Sequence, residues 1–274
     1  MAGIDRMLCR DAERIRRSGS GLRTSSSVKA YNVVALDMFD TLVKWSNHHL
    51  PLVKVNGQEF RSSSPFIYEV LKPLCPHLSL DDFARAFVQS YRTAEEVRRD
   101  ADREVTAHER FQILFHRLGI AASPEADRLL AAGLAEHQRH IIGCMDFPES
   151  HRATLEALAR RYRLAVLSNF DHAPTIEWVL ASYGIRDRFE AVIVSGDVGW
   201  RKPRPEIFAE VFRRLNVGSA EVILVGDTPE GDVLGAQGVG MDVIWIDDGS
   251  KPFPPGTPPP TYRVNRFPEI TQLL

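Results

Sequence analysis

Short apolar runs and longer amphipathic stretches alternate along most of this chain. Residues 33–36 (Val-Val-Ala-Leu) are uniformly apolar and end at Asp37, which predicts a strand buried on both faces. Runs of the same kind recur at 164–167, 191–194, 222–225 and 243–246. Helical periodicity fills most of the gaps between them, over 154–161, 173–183 (stopped by Gly184), 205–215 and 232–237. Strands that alternate with helices build βαβ units with right-handed crossovers. The expected fold class is therefore α/β, a doubly wound parallel-sheet (Rossmann-like) core.

The stretch between the first two core strands breaks that rhythm. Residues 52–60 alternate around Asn56-Gly57, a hairpin signal. Helical patterns follow at 66–72, 80–100, 107–118 and 124–142. Phe111, Leu114, Phe115 and Leu118 recur at spacings of three and four, which makes one amphipathic face. A mainly helical cap domain over residues 44–146, with a possible β-hairpin at 52–60, is thus expected to interrupt a core made of 29–43 and 147–274. Hung from the first strand, it would lie over the carboxyl ends of the strands, where ligands bind in open parallel sheets. Residues 251–260 are Pro-rich and read as a loop. Residues 1–28, rich in Arg and Ser but holding Asp5, Asp11 and Glu13, read as a flexible leader.

Four polar constellations fall at the ends of the expected strands. Asp37-Met38-Phe39-Asp40-Thr41-Leu42 follows the first strand and Ser168-Asn169 the second. Lys202-Pro203 lies in the loop after the third, and Gly226-Asp227 through Asp232 follows the fourth. Strand ends of one parallel sheet share one edge, so these residues can line one crevice. An aspartate there can act as a nucleophile if its charge is balanced. Thr41, Ser168 and Asn169 offer donors suited to phosphoryl oxygens, and Lys202 would neutralise charge on the attacking and transferred groups. Asp37, Asp227 and Asp232 form the kind of carboxylate cluster that Mg²⁺ takes.

In order and spacing these motifs resemble those of the haloacid dehalogenase superfamily, from about Val33 to the C-terminus, with the insert in the position of the C1-type cap. The resemblance implies Asp37 as nucleophile and Thr41 and Ser168 as holders of the transferred group, with Asn169 assisting. It implies Lys202 as the charge stabiliser, and Mg²⁺ held by Asp37, the Phe39 backbone carbonyl and Asp227. Asp232 would bind the metal or orient Lys202. One position departs from the pattern. Phosphatases of the superfamily usually carry a second aspartate two residues after the nucleophile, as general acid and base; here that residue is Phe39. Thr41 fixes the register and puts Asp40 where the family usually has Gly. The 2-haloacid dehalogenases have an aromatic residue at the equivalent of Phe39 and need no metal, but they usually lack the carboxylate corresponding to Asp227.

Composition narrows the picture. Lys and Arg number 34 against 36 Asp and Glu, so neither nucleic acid nor an anionic membrane is an expected partner. No apolar run approaches the roughly 18 residues a bilayer crossing needs. Three dispersed cysteines (Cys9, Cys75 and Cys144) form no disulfide framework, which suits a cytoplasmic location. His48, His49, His137 and His140 read as solvated side chains, and Glu104 as part of a solvated face. Asp171 and His172 read equally as pocket lining or a plain turn. The leading expectation is a Mg²⁺-dependent phosphohydrolase acting on a small-molecule substrate, as a monomer or homodimer. A metal-independent 2-haloacid dehalogenase-like hydrolase and a catalytically silent phospho-ligand-binding protein are the alternatives.

Overall fold

The computed structural model describes residues 30–274; the leader expected over 1–28 lies outside the described residues. The chain enters through β1 (Val33–Leu36), a short β2 (Lys44–Trp45) and the hairpin strands β3 (Leu52–Val55) and β4 (Gln58–Arg61). Helices α1 (Ser64–Leu71), α2 (Leu80–Ala101), α3 (Ala107–Arg117) and α4 (Pro124–Ile142) follow, and β5 (Met145–Asp146) closes the insert. The remainder alternates: α5 (Glu149–Ala159), β6 (Arg163–Ser168), α6 (Ala173–Ser182), β7 (Ala191–Val194), α7 (Ser195–Val198), α8 (Pro205–Leu215), β8 (Val222–Gly226), α9 (Gly235–Gly238), β9 (Asp242–Ile246) and β10 (Tyr262–Val264).

Six strands form one parallel sheet in the order β10-β9-β8-β1-β6-β7. β1 is central, with Leu36 opposite Val166 on one side and Val225 on the other. From β1 the chain builds outward to β6 and β7, then crosses to β8, β9 and β10. The strand order thus reverses beside β1, and a crevice opens there at the carboxyl ends. Successive side chains of a strand point to opposite faces, which gives the sheet two cores. Val34, Leu36, Val166 and Val225 pack under α5 and α6 through Leu155, Leu158, Ile176 and Leu180. Val33, Ala35, Leu167 and Leu224 pack under α8 through Ile207, Phe208 and Val211. The doubly wound α/β architecture expected from the sequence is the one observed.

The insert has a third core of its own, in which Ile67, Leu71, Phe83, Phe111, Leu114 and Leu130 are buried. Asn56 (φ 51°) and Gly57 (φ 80°) turn the β3–β4 hairpin. Left-handed geometry at both central residues is the turn that Asn-Gly favours. Where the chain leaves and re-enters the core, β2 and β5 pair antiparallel, Lys44 with Asp146 and Trp45 with Met145.

Some boundaries differ from the expectation. α5 starts at Glu149, five residues before 154, because Pro148 caps a polar first turn; its His151 is buried under Phe267, with ring centroids 4.8 Å apart. The helix expected over 232–237 is a π-helix, Pro229–Leu234, followed by the single turn α9. β10 was not expected, since three residues carry too little periodicity.

Glu104 is a correction. Expected on a solvated face, it is 1% exposed. It accepts from Arg98 Nε at 2.7 Å and Arg201 Nη1 at 2.6 Å, and from the Ser195 hydroxyl. Its backbone N–H donates to Gly199 O at 2.9 Å. An insert residue thereby binds the core segment 195–201 between β7 and α8, and the run of charges around it in sequence concealed an internal ion-pair network. Glu104→Ala leaves Arg98 and Arg201 short of a buried counter-charge, so a loss of about 3–5 kcal/mol is expected. Urea unfolding should show the midpoint falling with an unchanged slope.

Candidate active site

β1 carries Asp37 to the carboxyl edge of the sheet, and the Asp37 N–H donates to Val225 O at 2.9 Å. The loop between α7 and α8 brings Lys202 in beside it. The Lys202 ammonium lies 2.6 Å from Asp37 Oδ1 and 2.6 Å from Asp232 Oδ1, and donates to Leu167 O at 2.9 Å. Asp227, at the end of β8, completes a buried triad in which one carboxylate oxygen from each of Asp37, Asp227 and Asp232 lies within 4.8 Å of the others. The π-helix aims Asp232 inward, where its second oxygen accepts from the Thr228 N–H at 2.9 Å. Such turns recur at functional sites.

Gly226 makes this possible. A Cβ there would lie 2.3 Å from Asp232 Cγ, and Asp232 is pinned by Lys202 and Thr228. Gly226→Ala is expected to displace both charged groups, lowering kcat about 10²-fold and stability by about 1–3 kcal/mol. Steady-state kinetics and a Tm measurement on the purified variant would check both.

The electrostatics follow from burial. Burial pushes the Asp37 carboxyl above the usual range; Lys202 opposes the shift, while Asp232 and Asp227 add to it. Burial works against the Lys202 ammonium, but Asp232 and Asp37 outweigh it and hold its pKa above the ordinary lysine value. Asp227 is likewise raised by burial, against the pull of Lys251. Lys251 comes from the Pro-rich loop and contacts Asp227 Oδ2, with Thr228 Oγ1 at 3.4 Å. No periodic signal marked it in the sequence.

The oxygen set fits a hard divalent cation. Asp232 spends both oxygens on Lys202 and Thr228. Asp37 keeps Oδ2 free of an ionic partner, and Asp227 keeps Oδ1, which meets the Thr228 hydroxyl at 3.3 Å. The Thr41 and Ser168 hydroxyls are buried without a hydrogen-bond partner, an arrangement that costs about 1–3 kcal/mol per group unless a ligand supplies one. Asn169 is committed differently from its neighbours. Its amide donates to Lys202 O at 3.0 Å and accepts from Lys202 N at 2.8 Å, so it fastens the lysine loop.

Phe39 is half-buried, with its ring 5.6 Å from that of Trp45 and 5.2 Å from that of Phe170. Asp40 adopts φ 57°, the left-handed region that favours glycine. Its carbonyl accepts from Lys44 Nζ at 2.9 Å and its side chain from the Trp45 N–H at 3.4 Å.

Between the strand ends and the insert lies a cavity of about 460 Å³, bounded by Asn169, Phe170 and Asp171 on one side and by Arg98, Arg110 and His137 on the other. His137 corrects a second expectation. It is 8% exposed rather than solvated, 2.8 Å from Ser63 Oγ and 2.7 Å from Arg110 Nη2. His48 and His49 are exposed, as expected. Asp171 lines the cavity, whereas the His172 ring turns to Thr175 Oγ1 at 2.8 Å. No described helix is long and apolar enough to cross a membrane.

A buried lysine–carboxylate cluster at the switch point of a doubly wound sheet, under a helical insert, defines a class of α/β hydrolytic site. Residues 31–240 match the haloacid dehalogenase-like hydrolase family, and the chain belongs to it. It is 34% identical over 150 residues to a phosphoserine phosphatase of Thermus thermophilus, covering 54% of this chain and 57% of that protein. It is 30% identical over 141 residues to a glyceraldehyde 3-phosphate phosphatase of Pyrococcus abyssi, covering 51% of this chain and 57% of that one. The matched segments thus span a little over half the length of these relatives. The fold is similar to that of a 2-haloacid dehalogenase from Pseudomonas syringae, with a TM-score of 0.64, 20% identity and coverage of 89% of this chain and 97% of that one.

Proposed function

We propose that this protein is a Mg²⁺-dependent phosphohydrolase that works on a small phosphorylated molecule through an aspartyl-phosphate on Asp37, with residues 44–146 as a C1-type cap. The observation that carries the reading is the Lys202 ammonium shared between Asp37 and Asp232, with Asp227 in the same oxygen cluster. A pure halide-displacing site has no use for the third carboxylate, which adds repulsion that a cation offsets.

Asp37, Asp227 and the Phe39 backbone carbonyl would hold Mg²⁺, and Asp232 would keep Lys202 in place. The cation, when bound, offsets the negative charge of the phosphoryl group and the carboxylates. A carboxylate oxygen of Asp37 attacks phosphorus, and the bond from phosphorus to the leaving oxygen breaks. Thr41, Ser168 and Lys202 stabilise the equatorial oxygens. Water then attacks the phosphorus of the aspartyl-phosphate, releasing inorganic phosphate and restoring the carboxylate. Asn169 acts through Lys202, as a positioning residue. Because Phe39 transfers no proton, the first step favours leaving groups that depart as stable anions.

The aromatic at Phe39, packed on Phe170 and Trp45, is the feature that favours a second reading, metal-independent dehalogenation. Both readings meet one experiment. Phosphate release from p-nitrophenyl phosphate is expected with Mg²⁺ and not with EDTA. Chloride release from 2-chloropropionate in EDTA, with no phosphate release under either condition, would overturn the proposal in favour of the dehalogenase.

A further inference from the structure

Among the described residues, Arg110 is a buried cation set apart from Lys202 and its carboxylates. It lies on α3, is 2% exposed and lines the cavity facing the strand ends. Its Nη2 meets His137 Nε2 at 2.7 Å, but its Nε has no hydrogen-bond partner among the described residues. The nearest carboxylate oxygen, Asp171 Oδ2, is 3.8 Å from that Nε and 3.3 Å from Arg98 Nη2. The guanidinium carbon stands 5.2 Å from the ring centres of Phe87 and Phe111, contacts that hold a cation in place without neutralising it.

The surroundings are short of negative charge. Arg61, Arg98, Arg110 and Arg201 line the cavity, against Glu95 and Asp171 in the lining and Glu104 behind it. Arg98 is engaged by Glu95, Glu104, Asp171 and Val105 O, and Arg201 donates to Glu104. Arg61 donates to a neutral carbonyl, Leu50 O, at 2.7 Å. His137 adds no counter-charge: burial first, then Arg110, drives its pKa well below the ordinary value, so it stays neutral and orients the guanidinium. A buried fork with an unpaired donor, inside a lining with excess positive charge, suits a planar anion.

We propose that Arg110 is a specificity-determining residue, binding a carboxylate at the end of the substrate away from the phosphoryl group. The substrate class is then a small phosphorylated carboxylic acid. This rests on the phosphohydrolase reading for the position of the phosphoryl end, at Asp37, Thr41, Ser168 and Lys202. The carboxylate lies across the cavity, against Arg110.

Competitive inhibition tests this without depending on the leaving group. Phosphonoacetate, 3-phosphonopropionate and 4-phosphonobutyrate are compared with ethyl-, propyl- and butylphosphonate, against p-nitrophenyl phosphate in Mg²⁺. At least one carboxylated member is expected to bind about 10- to 100-fold tighter than its alkyl counterpart, the worth of one charge-assisted pair. In Arg110→Met that ratio falls to about one, and Arg110→Lys restores part of it, whereas a merely structural arginine would weaken both series alike. Should Arg110→Met not fold, Arg110→Lys carries the test: a ratio lower than that of the wild type supports the subsite and an unchanged ratio overturns it. Turnover of p-nitrophenyl phosphate with no preference for any carboxylated member, or a preference that survives Arg110→Met, overturns the subsite and leaves the phosphohydrolase standing. If no phosphate is released, the same series is read by calorimetry. A carboxylate preference then keeps the subsite while the hydrolase reading falls, and no preference overturns both.

Discussion

The Asp37→Asn protein is expected to bind phosphorylated ligands and to release no phosphate, with kcat lower by about four orders of magnitude or more, the scale on which removing a covalent nucleophile acts. The amide has no anionic oxygen with which to attack phosphorus, so the loss is of chemistry. The fold should survive, because Lys202 retains Asp232 Oδ1 at 2.6 Å and Leu167 O at 2.9 Å. Removing one of three crowded carboxylates also relieves repulsion that contributes to the raised pKa of Asp37. A Tm near or above that of the wild type, together with tight vanadate or phosphonate binding and no turnover, is the expected pattern. Turnover within tenfold of the wild type would move the nucleophile elsewhere and remove the basis of the mechanism. If the wild type is itself inactive under every condition and Asp37→Asn binds as it does, the protein is a binder that keeps the fold.

The parts of this site that lie at strand ends were legible in the sequence because the apolar runs locate the strands and the sheet brings their ends together. Asp37, Ser168 and Asp227 follow four- to six-residue runs whose burial leaves them no alternative to strand, and Lys202 lies in a loop that the same logic delivers to the same edge. What stayed hidden depends on contacts made across long separations. Glu104, in the connection between α2 and α3, and Arg110, on α3, stand among polar residues, and a polar pattern looks the same whether it faces water or a buried partner 91 residues away, as with Glu104 and Ser195. Lys251 comes from a Pro-rich loop with no periodicity to place it. The sequence predicts an ordinary helix over 232–237 where the π-helix spans Pro229–Leu234, since nothing in it signals the extra residue per turn that marks a π-helix. The family resemblance puts Asp40 where glycine is usual, and its φ of 57° gives that expectation its physical content.

Phe39→Asp is expected to act in the opposite direction to most active-site substitutions, raising turnover of alkyl phosphates by about 10²- to 10⁴-fold, the usual contribution of a general acid and base. The present side chain packs against Trp45 and Phe170 and offers no proton. A poorly stabilised alkoxide must then leave unaided, whereas p-nitrophenolate leaves readily as the anion. The wild-type rate should therefore fall steeply as the leaving group becomes more basic. An aspartate at this position, close to the Asp37 carboxylate, would have its own pKa raised by the neighbouring charge, and so could carry the proton that the alkoxide needs. The gain should be large for alkyl phosphates and small for p-nitrophenyl phosphate, with a lower Tm from the lost ring contacts. If the wild type already hydrolyses alkyl and aryl phosphates at similar rates, a proton donor is present elsewhere. Asp40, the neighbouring carboxylate, is then the group to remove: loss of alkyl phosphate turnover in Asp40→Asn would assign it the role that Phe39 vacates. If alkyl phosphate turnover in Phe39→Asp stays at the wild-type level, position 39 does not face the leaving group, and the argument that Phe39 limits the reaction fails.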